Sequence, residues 1–300
     1  MKICAIVTTC NEEHTIGPLL SALAGARPGG ESLQKIIVVS SACKDCTEEI
    51  VRRLATEDSK IELIAEPTRR GKAAAINTGI ENLPPDCEVV LLSSGDVLPQ
   101  PGAVEALCEP FEIEKIGMTG GQPHPVNNSG ALLDQMAQLL WAMHHRVALL
   151  HPKLGEIIVA RRKYFAPLPV ETPVDEALIE ARVIQDGAQL CYVPRAVIRN
   201  RGPASLREWM LQRRRIASGH VWLKKMTGYT VATVSGFSVL RALTAEALPH
   251  PRRWLAAPVI VFCEVLAQFL GRYDANFGRG KHAVWKMATS TKRQSLDERH

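Results

Sequence analysis

What most constrains the fold of this chain is an alternation running from residue 3 to residue 94: the apolar, β-branched runs ICAIVTT, KIIVVSS, IELIAE and EVVLLSS, separated by stretches of helical patterning. Strands with so few polar interruptions are covered on both faces by crossover helices, so the pattern predicts a mostly parallel sheet of the Rossmann-like α/β class. Helices are expected over 15–26, 47–56 and 72–82. In such sheets ligands bind beyond the carboxyl ends of the strands. Those ends carry TTCNEE, SSACKD, EPTRRGK and SSGD, which places four polar loops around one crevice.

The second part of the chain is less regular. An apolar helix is expected over 131–150, a short segment in GEIIVARR, a helix over 174–185, a strand in QLCYVP and a basic helix over 206–220. No independent repeat separates this part from the first. It is read as folding over the sheet edge and adding polar groups to the same crevice. A chain of 300 residues with 46% hydrophobic content suits one large domain or one domain with an appendage. The expected division is a main domain over 1–225, a helical extension over 226–288 and a polar, disordered tail over 289–300.

The extension contains WLAAPVIVFCEVLAQFL, apolar but interrupted by Pro258, Glu264 and Gln268. A carboxylate at the centre of a spanning helix costs about 2.5–3.5 kcal/mol, and the run is short for a hydrocarbon core of about 30 Å. A full span is therefore not expected. Two readings stand: an in-plane membrane helix pair flanked by Arg252 and Arg253, or a helical hairpin packed on the main domain.

The net charge of +5 is modest but concentrated between Arg195 and Lys225. Such a block needs an anionic partner; with few aromatics and no nucleic-acid module beside it, phosphates of a small ligand or of a lipid headgroup fit better than nucleic acid. Eight scattered cysteines read as free thiols in a reducing, cytoplasmic compartment, and the start MKICAIVTT has no signal-peptide pattern. The CxxC of Cys43 and Cys46 lacks the second ligand pair that a closed zinc site requires.

Asp96 ends EVVLLSSGD, Asp175 and Glu176 open an apolar helix, and QRRRI follows at 212–216. In this order the segments describe a site for transferring a group from a nucleotide diphosphate. One acid holds a metal, another takes a proton, and arginines receive the pyrophosphate charge. Each also has a plain structural alternative: a strand-end cap for Asp96, helix-dipole complementation for the acidic pair, and a solvated basic face for the arginines.

With the opening VTTCNEEHTIGPLL and the loop RRGKAAAINTGI, these segments resemble the family 2 glycosyltransferases, inverting sugar-nucleotide enzymes with a GT-A fold, over roughly residues 1–225. The resemblance implies a donor nucleotide site of Thr8, Thr9, Asn11, Glu13, Ser40, Arg70, Lys72, Ser94 and Gly95, with Glu12 nearby. It implies Mg²⁺ or Mn²⁺ on Asp96, with His220 as a further candidate ligand, and Glu176 in the position of the base with Asp175 as the alternative. Gln212, Arg214, Arg215, Gly155 and Glu156 would face the diphosphate or the acceptor. Four departures accompany it, the first being the acidic pair itself, which reads Asp175-Glu176 where the family has the reverse order. Ser40 and Ser41 stand where many members carry base-reading aspartates, Ser93 and Gly95 where further metal-motif aspartates are common, and Ile216 where processive members place tryptophan.

The expected activity is thus transfer of a sugar from a UDP- or GDP-linked donor to an acceptor hydroxyl. The expected acceptor is lipid-linked or membrane-proximal, at the anionic inner face of the cell membrane. Two alternatives are carried: a non-catalytic nucleotide-binding or scaffolding member of the same fold, disfavoured because Asp96, the acidic pair and QRRRI persist together, and a nucleotidyltransferase, disfavoured because TTCNEE lacks the glycine-rich first loop.

Overall fold

The computed structural model describes residues 1–127, 130–231 and 236–277; the tail expected over 289–300 lies outside them. The alternation at the start of the chain becomes β1 (Ile3–Thr9), α1 (Ile16–Gly25), β2 (Lys35–Ser41), α2 (Thr47–Glu57), β3 (Ile61–Glu66), α3 (Lys72–Glu81) and β4 (Val89–Ser94). All seven residues of β1 are buried, because β2 and β4 flank it in parallel and helices cover both faces. Thr9 lies opposite Ser40 and Thr8 opposite Ser94, so the first, second and fourth polar loops leave the sheet side by side. Helix α3 lies close on the sheet: a Cβ at Gly79 would collide with the side chain of Ile6.

The second half departs from expectation. It widens the sheet instead of folding over its edge. The two-residue β5 (Leu98–Pro99) and helix α4 (Ala103–Cys108) lead to β6 (Ile116–Pro125), α5 (Leu132–Leu150), β7 (Ile158–Arg161), α6 (Asp175–Gln185) and β8 (Gln189–Asn200). The order across the eight-stranded sheet is β3-β2-β1-β4-β7-β6-β8-β5, with β7 and β5 antiparallel to their neighbours. Because β7 runs against β4, the residue before its start, like the end of β4, lies at the rim of the crevice.

Strand β6, IGMTGGQPHP, has the composition of a loop. Its glycines answer to packing: a Cβ at Gly117 would lie 2.6 Å from Val183 Cγ1, and one at Gly120 would lie 2.7 Å from Leu154 Cβ. Strand β8 passes the expected stop at Pro194. The register against β6 jumps there from Gly121–Val193 to Gln122–Val197, and the bulge takes up the proline that has no N–H to donate.

Helix α7 (Leu206–Thr227) begins at a capping box, with the Ser205 hydroxyl accepting from Glu208 N at 3.2 Å, and ends at the left-handed Gly228. Helices α8 (Gly236–Ala247) and α9 (Ala256–Phe277) follow. One face of this hairpin is buried with Met136, Leu139, Met143 and Trp209 of α5 and α7. The seam between α7 and α9 is tight, since a Cβ on Gly271 would come within 2.7 Å of Ala217 Cβ and of Ser218 N. The opposite face of α9 is exposed and apolar, through Phe262, Val265, Phe269 and Tyr273.

Candidate active site

The first two loops are fastened to each other by main-chain donors. Asn11 N–H donates to Cys43 Sγ (3.2 Å), Lys44 N–H to Asn11 Oδ1 (2.7 Å), Glu13 N–H to Asp45 Oδ2 (3.1 Å) and Cys46 N–H to Glu13 Oε2 (3.0 Å). The fourth loop joins them where the Thr15 hydroxyl donates to Gly95 O at 2.6 Å and Gly95 N–H donates to Thr8 O at 2.9 Å. Gly95 is dictated by this contact, because a Cβ there would sit 2.7 Å from Thr9 Oγ1. Among the described residues three that are not glycine have positive φ: Asn11 (57°), Ala42 (52°) and Glu156 (62°). All three stand at the carboxyl-end rim, where strained backbone marks a site more often than a scaffold.

Across the crevice, α6 opens directly on Asp175 and Glu176, and α3 on Lys72. The Lys72 ammonium bridges both acids, 2.9 Å from Asp175 Oδ2 and in contact with Glu176 Oε1. Burial disfavours all three charges, but the net results differ. Burial and the neighbouring Glu176 raise Asp175, whereas for Glu176 the Lys72 charge and hydrogen bond outweigh burial and hold it below the ordinary carboxylate range. For Lys72 the two carboxylates likewise outweigh burial and raise it. Asp175 is the deeper acid and Glu176 the more accessible one. Helix α7 abuts this corner, since a Cβ at Gly219 would lie 2.6 Å from Val174 Cγ1, next to the acidic pair.

Glu156, before β7, is pushed up to about 7, first by burial and then by the charge of Asp96. Asp96 and Glu156 are thus two carboxyl groups close enough for the charge of one to raise the other. Among the described residues no set of three His, Cys, Asp or Glu side chains forms a complete metal cage.

The sequence profile described as "Glycosyl transferase family 2" matches residues 4–160, more than half of the chain. The chain belongs to this family. The glycosyltransferase AglE of Haloferax volcanii is 32% identical over 79 residues, a match that spans about a quarter of each protein (26% of each). Among solved structures, the mannosyltransferase PcManGT of Pyrobaculum calidifontis, in complex with GDP-Man and Mn²⁺, superposes with a TM-score of 0.64 at 19% identity, covering 93% of this chain and 88% of that one. A glucosyl-3-phosphoglycerate synthase of Mycobacterium tuberculosis, in complex with Mn²⁺, UDP and phosphoglyceric acid, gives 0.51 at 20% identity, over 72% and 76%. At such identities the structures establish the shared GT-A fold. The expected fold class holds on this superposition, and the expected enzyme class on the family match.

Within this glycosyltransferase several expected site residues are occupied elsewhere. Ser40 is fully buried and its hydroxyl donates to Glu48 Oε1 (2.7 Å), so it does not face the crevice; Ser41 likewise donates to Glu66 (3.2 Å). Arg70 pairs with Glu66 and donates to Thr78 at 3.2 Å, and Lys72 is drawn to the acidic pair instead of standing open for phosphate. Arg214 forms a two-pronged pair with Asp274 of α9 (2.5 and 2.6 Å), as Arg213 does with Glu264 (2.5 and 2.8 Å), so neither guanidinium is directed to a diphosphate. The Nε of Arg215 is buried and has no partner among the described residues. Gln212 is exposed on α7, and Gly155 has open space beside it.

His220 lies among cations. Burial and the charges of Lys153 and Arg213 push it down to about 3. His144, also at about 3 from burial and the same charges, packs edge-on against Trp141 at 5.3 Å. Sequence reasoning missed Lys153, Glu180 and Glu48. None lies in a recognisable motif, and only the position of Lys153 two residues before Gly155 could have drawn attention to it.

Proposed function

We propose that this enzyme transfers a sugar from a nucleoside-diphosphate donor to an acceptor hydroxyl with inversion, and that Glu176 is the base. The carrying observation is the Lys72 bridge, which keeps Glu176 ionised while Asp175 anchors the ammonium behind it. The acceptor oxygen attacks the anomeric carbon from the face opposite the diphosphate, its proton passes to a Glu176 carboxylate oxygen, and the bond to the diphosphate breaks. The diphosphate leaves with the bonding pair. The unpartnered Nε–H of Arg215 is the α7 donor suited to the charge that grows there.

Asp96 and Glu156 fit a hard divalent cation, because the charge of Asp96 adds to burial in raising Glu156, a repulsion that a cation bound to both would relieve. They would hold Mg²⁺ or Mn²⁺, which supplies charge neutralisation for the leaving diphosphate. Thr8, Thr9, Asn11, Glu13, Ser94 and Gly95 form the rim assigned to the nucleoside, UDP or GDP. The division into a catalytic body ending near residue 225 and a helical extension belongs to the same reading.

A lipid-linked acceptor at the inner membrane face is supported by the α8–α9 hairpin. Its three carboxylates all face protein: Glu246 pairs with Arg146 and Arg253, Glu264 with Arg213, and Asp274 with Arg214. The outer surface is left with aromatic residues, Arg241 and Arg272, the chemistry of an in-plane contact with an anionic bilayer.

The test of the donor site is thermal stability with UDP, GDP, CDP and TDP, with and without Mn²⁺, on the parent and on Asp96→Ala. A ligand at 100 times its Kd stabilises by about 2.7 kcal/mol. Metal-dependent stabilisation by one nucleotide, lost in Asp96→Ala, is expected; no shift with any nucleotide refutes the reading. Flotation with phosphatidylglycerol-containing vesicles tests the membrane contact, which fails if the chain remains unbound.

A further inference from the structure

The transfer reaction leaves the cysteines unexplained. The sequence pairs Cys43 with Cys46, but the fold pairs Cys43 with Cys10. Strands β1 and β2 run parallel with Thr9 opposite Ser40, and the two loops that leave them turn through left-handed residues, Asn11 and Ala42. The Cys10 and Cys43 side chains lie between those turns, both half-buried, and Cys10 is the neighbour that bears most on the Cys43 thiol. Donor directions distinguish them. Cys43 Sγ accepts the Asn11 N–H at 3.2 Å, whereas Cys10 Sγ lies 3.1 Å from the Ser41 carbonyl, an oxygen that accepts from a thiol. Cys43 is thus arranged as the anion and Cys10 as the proton-bearing neighbour.

The charge environment agrees. The neighbouring Cys10 thiol first, then the Ser40 hydroxyl and the Asn11 N–H that Cys43 accepts from, bring Cys43 down to about 6, against the opposing effects of burial and the Asp45 carboxylate. Cys46 is exposed and is raised by the Glu13 carboxylate beside it. The remaining titratable groups on these loops and in the first turn of α2 are Glu12, His14, Lys44, Glu48 and Glu49. Glu48 is occupied by Ser40 and Arg52.

We propose that Cys43 is a nucleophilic thiolate with Cys10 as its resolving thiol, a modification site for hydroperoxides and small electrophiles that a bound donor nucleotide covers. The covering part rests on the reading that the nucleoside lies over the ends of β1 and β2. Oxidation proceeds in two balanced steps. The Cys43 thiolate takes an oxygen from hydrogen peroxide, forming the sulfenic acid and releasing hydroxide. Cys10 then displaces the sulfenic hydroxyl, forming the Cys10–Cys43 disulfide, with its own proton leaving in the water released. The sulfurs are oxidised and the peroxide is reduced. The disulfide ties together the two loops that the nucleoside must fit between.

At pH 7 a thiol titrating near 6 is about thirty-fold richer in thiolate than an ordinary one, but nucleophilicity falls with pKa, so the net rate advantage is only about two-fold. The pH profile is therefore the readout. Iodoacetamide alkylation of the full chain, resolved by peptide mass spectrometry, should give Cys43 a midpoint near 6 and a plateau above neutrality, while Cys46 keeps rising into the alkaline range. One equivalent of peroxide should yield a Cys10–Cys43 cross-linked peptide, and in Cys10→Ser a dimedone-trapped sulfenic acid on Cys43. A Cys43 profile no different from that of Cys46, or a Cys43–Cys46 cross-link, overturns the thiol assignment. UDP or GDP with Mn²⁺, whichever stabilises the reduced chain, should slow Cys43 alkylation at least ten-fold, and oxidation should weaken that nucleotide by a similar factor until dithiothreitol restores it. Nucleotide binding with unchanged alkylation overturns the covering. If no nucleotide binds the reduced chain, the donor reading and with it the covering fall, while the pH profile and the cross-link still decide the thiol assignment.

Discussion

The seam between α7 and α9 can be tested by the sign of one substitution. In an isolated or loosely docked helix, Gly271→Ala would stabilise, because alanine gains about 1 kcal/mol of helix propensity over glycine. Here the added Cβ would lie 2.7 Å from Ala217 Cβ and from Ser218 N, and 2.9 Å from Arg214 O. Two of these are backbone atoms that cannot rotate away, so α9 must shift. Overpacking of this kind costs about 1–3 kcal/mol. With the propensity gain subtracted, the expected net loss is up to about 2 kcal/mol, or at most roughly 4 °C in Tm for a chain of this size. Urea unfolding of the parent, Gly271→Ala, Ala217→Gly and the double variant measures it. The double variant removes one of the three collisions and should show a favourable coupling of about 0.5 kcal/mol or more. A rise in stability on Gly271→Ala, with no coupling to Ala217, would refute the packing of α9 on the arginine-bearing helix.

Glu176→Gln should lower kcat by about 10²–10⁴-fold with little change in donor affinity, measured by steady-state assay once the donor is known. Because Lys72 holds Glu176 below its ordinary value, the acid limb of kcat/KM should fall below the ordinary glutamate value of about 4.3, and Lys72→Met should move it upward. His144 supplies a stability prediction. Its folded value of about 3 lies below the unfolded value, so its contribution is fully present above about 6.5 and is lost as pH falls toward 3. Between pH 6.5 and 5 the parent should therefore lose about 2 kcal/mol more than His144→Phe, which cannot titrate; equal losses would place His144 in water.

The first half of the sheet was legible because its strands are uniformly apolar and each ends in a polar loop. The alternation from Ile3 to Ser94 has one plausible topology, and the family motifs fall where that topology ends its strands. The second half was not legible for a physical reason. Strand β6 is held by close packing of Gly117, Gly120 and Gly121 against neighbouring elements, and those contacts overrule the poor strand preference of glycine and proline. The acidic pair was readable as a pair. The resemblance already put Glu176 before Asp175, but which acid stays ionised depends on Lys72, about one hundred residues earlier in the chain, so the physical reason for that order lies in the fold.

The arginine triplet shows where a motif outruns its geometry. Consecutive residues on an α-helix point about 100° apart, so Arg213, Arg214 and Arg215 cannot converge on one diphosphate. The helix distributes them: Arg213 and Arg214 bind the two carboxylates of α9, ten residues apart, and Arg215 keeps an unpartnered Nε. The same division places acids and cations usefully on α9. With Glu264 and Asp274 consumed by α7, the outer surface of α9 keeps Phe262, Phe269 and Tyr273 without a compensating negative charge. The apolar, acid-free surface of α9 is thus a consequence of the same ion pairs that fix Arg213 and Arg214. Replacing Glu264 by glutamine would loosen the α7–α9 seam by leaving the Arg213 charge without its partner.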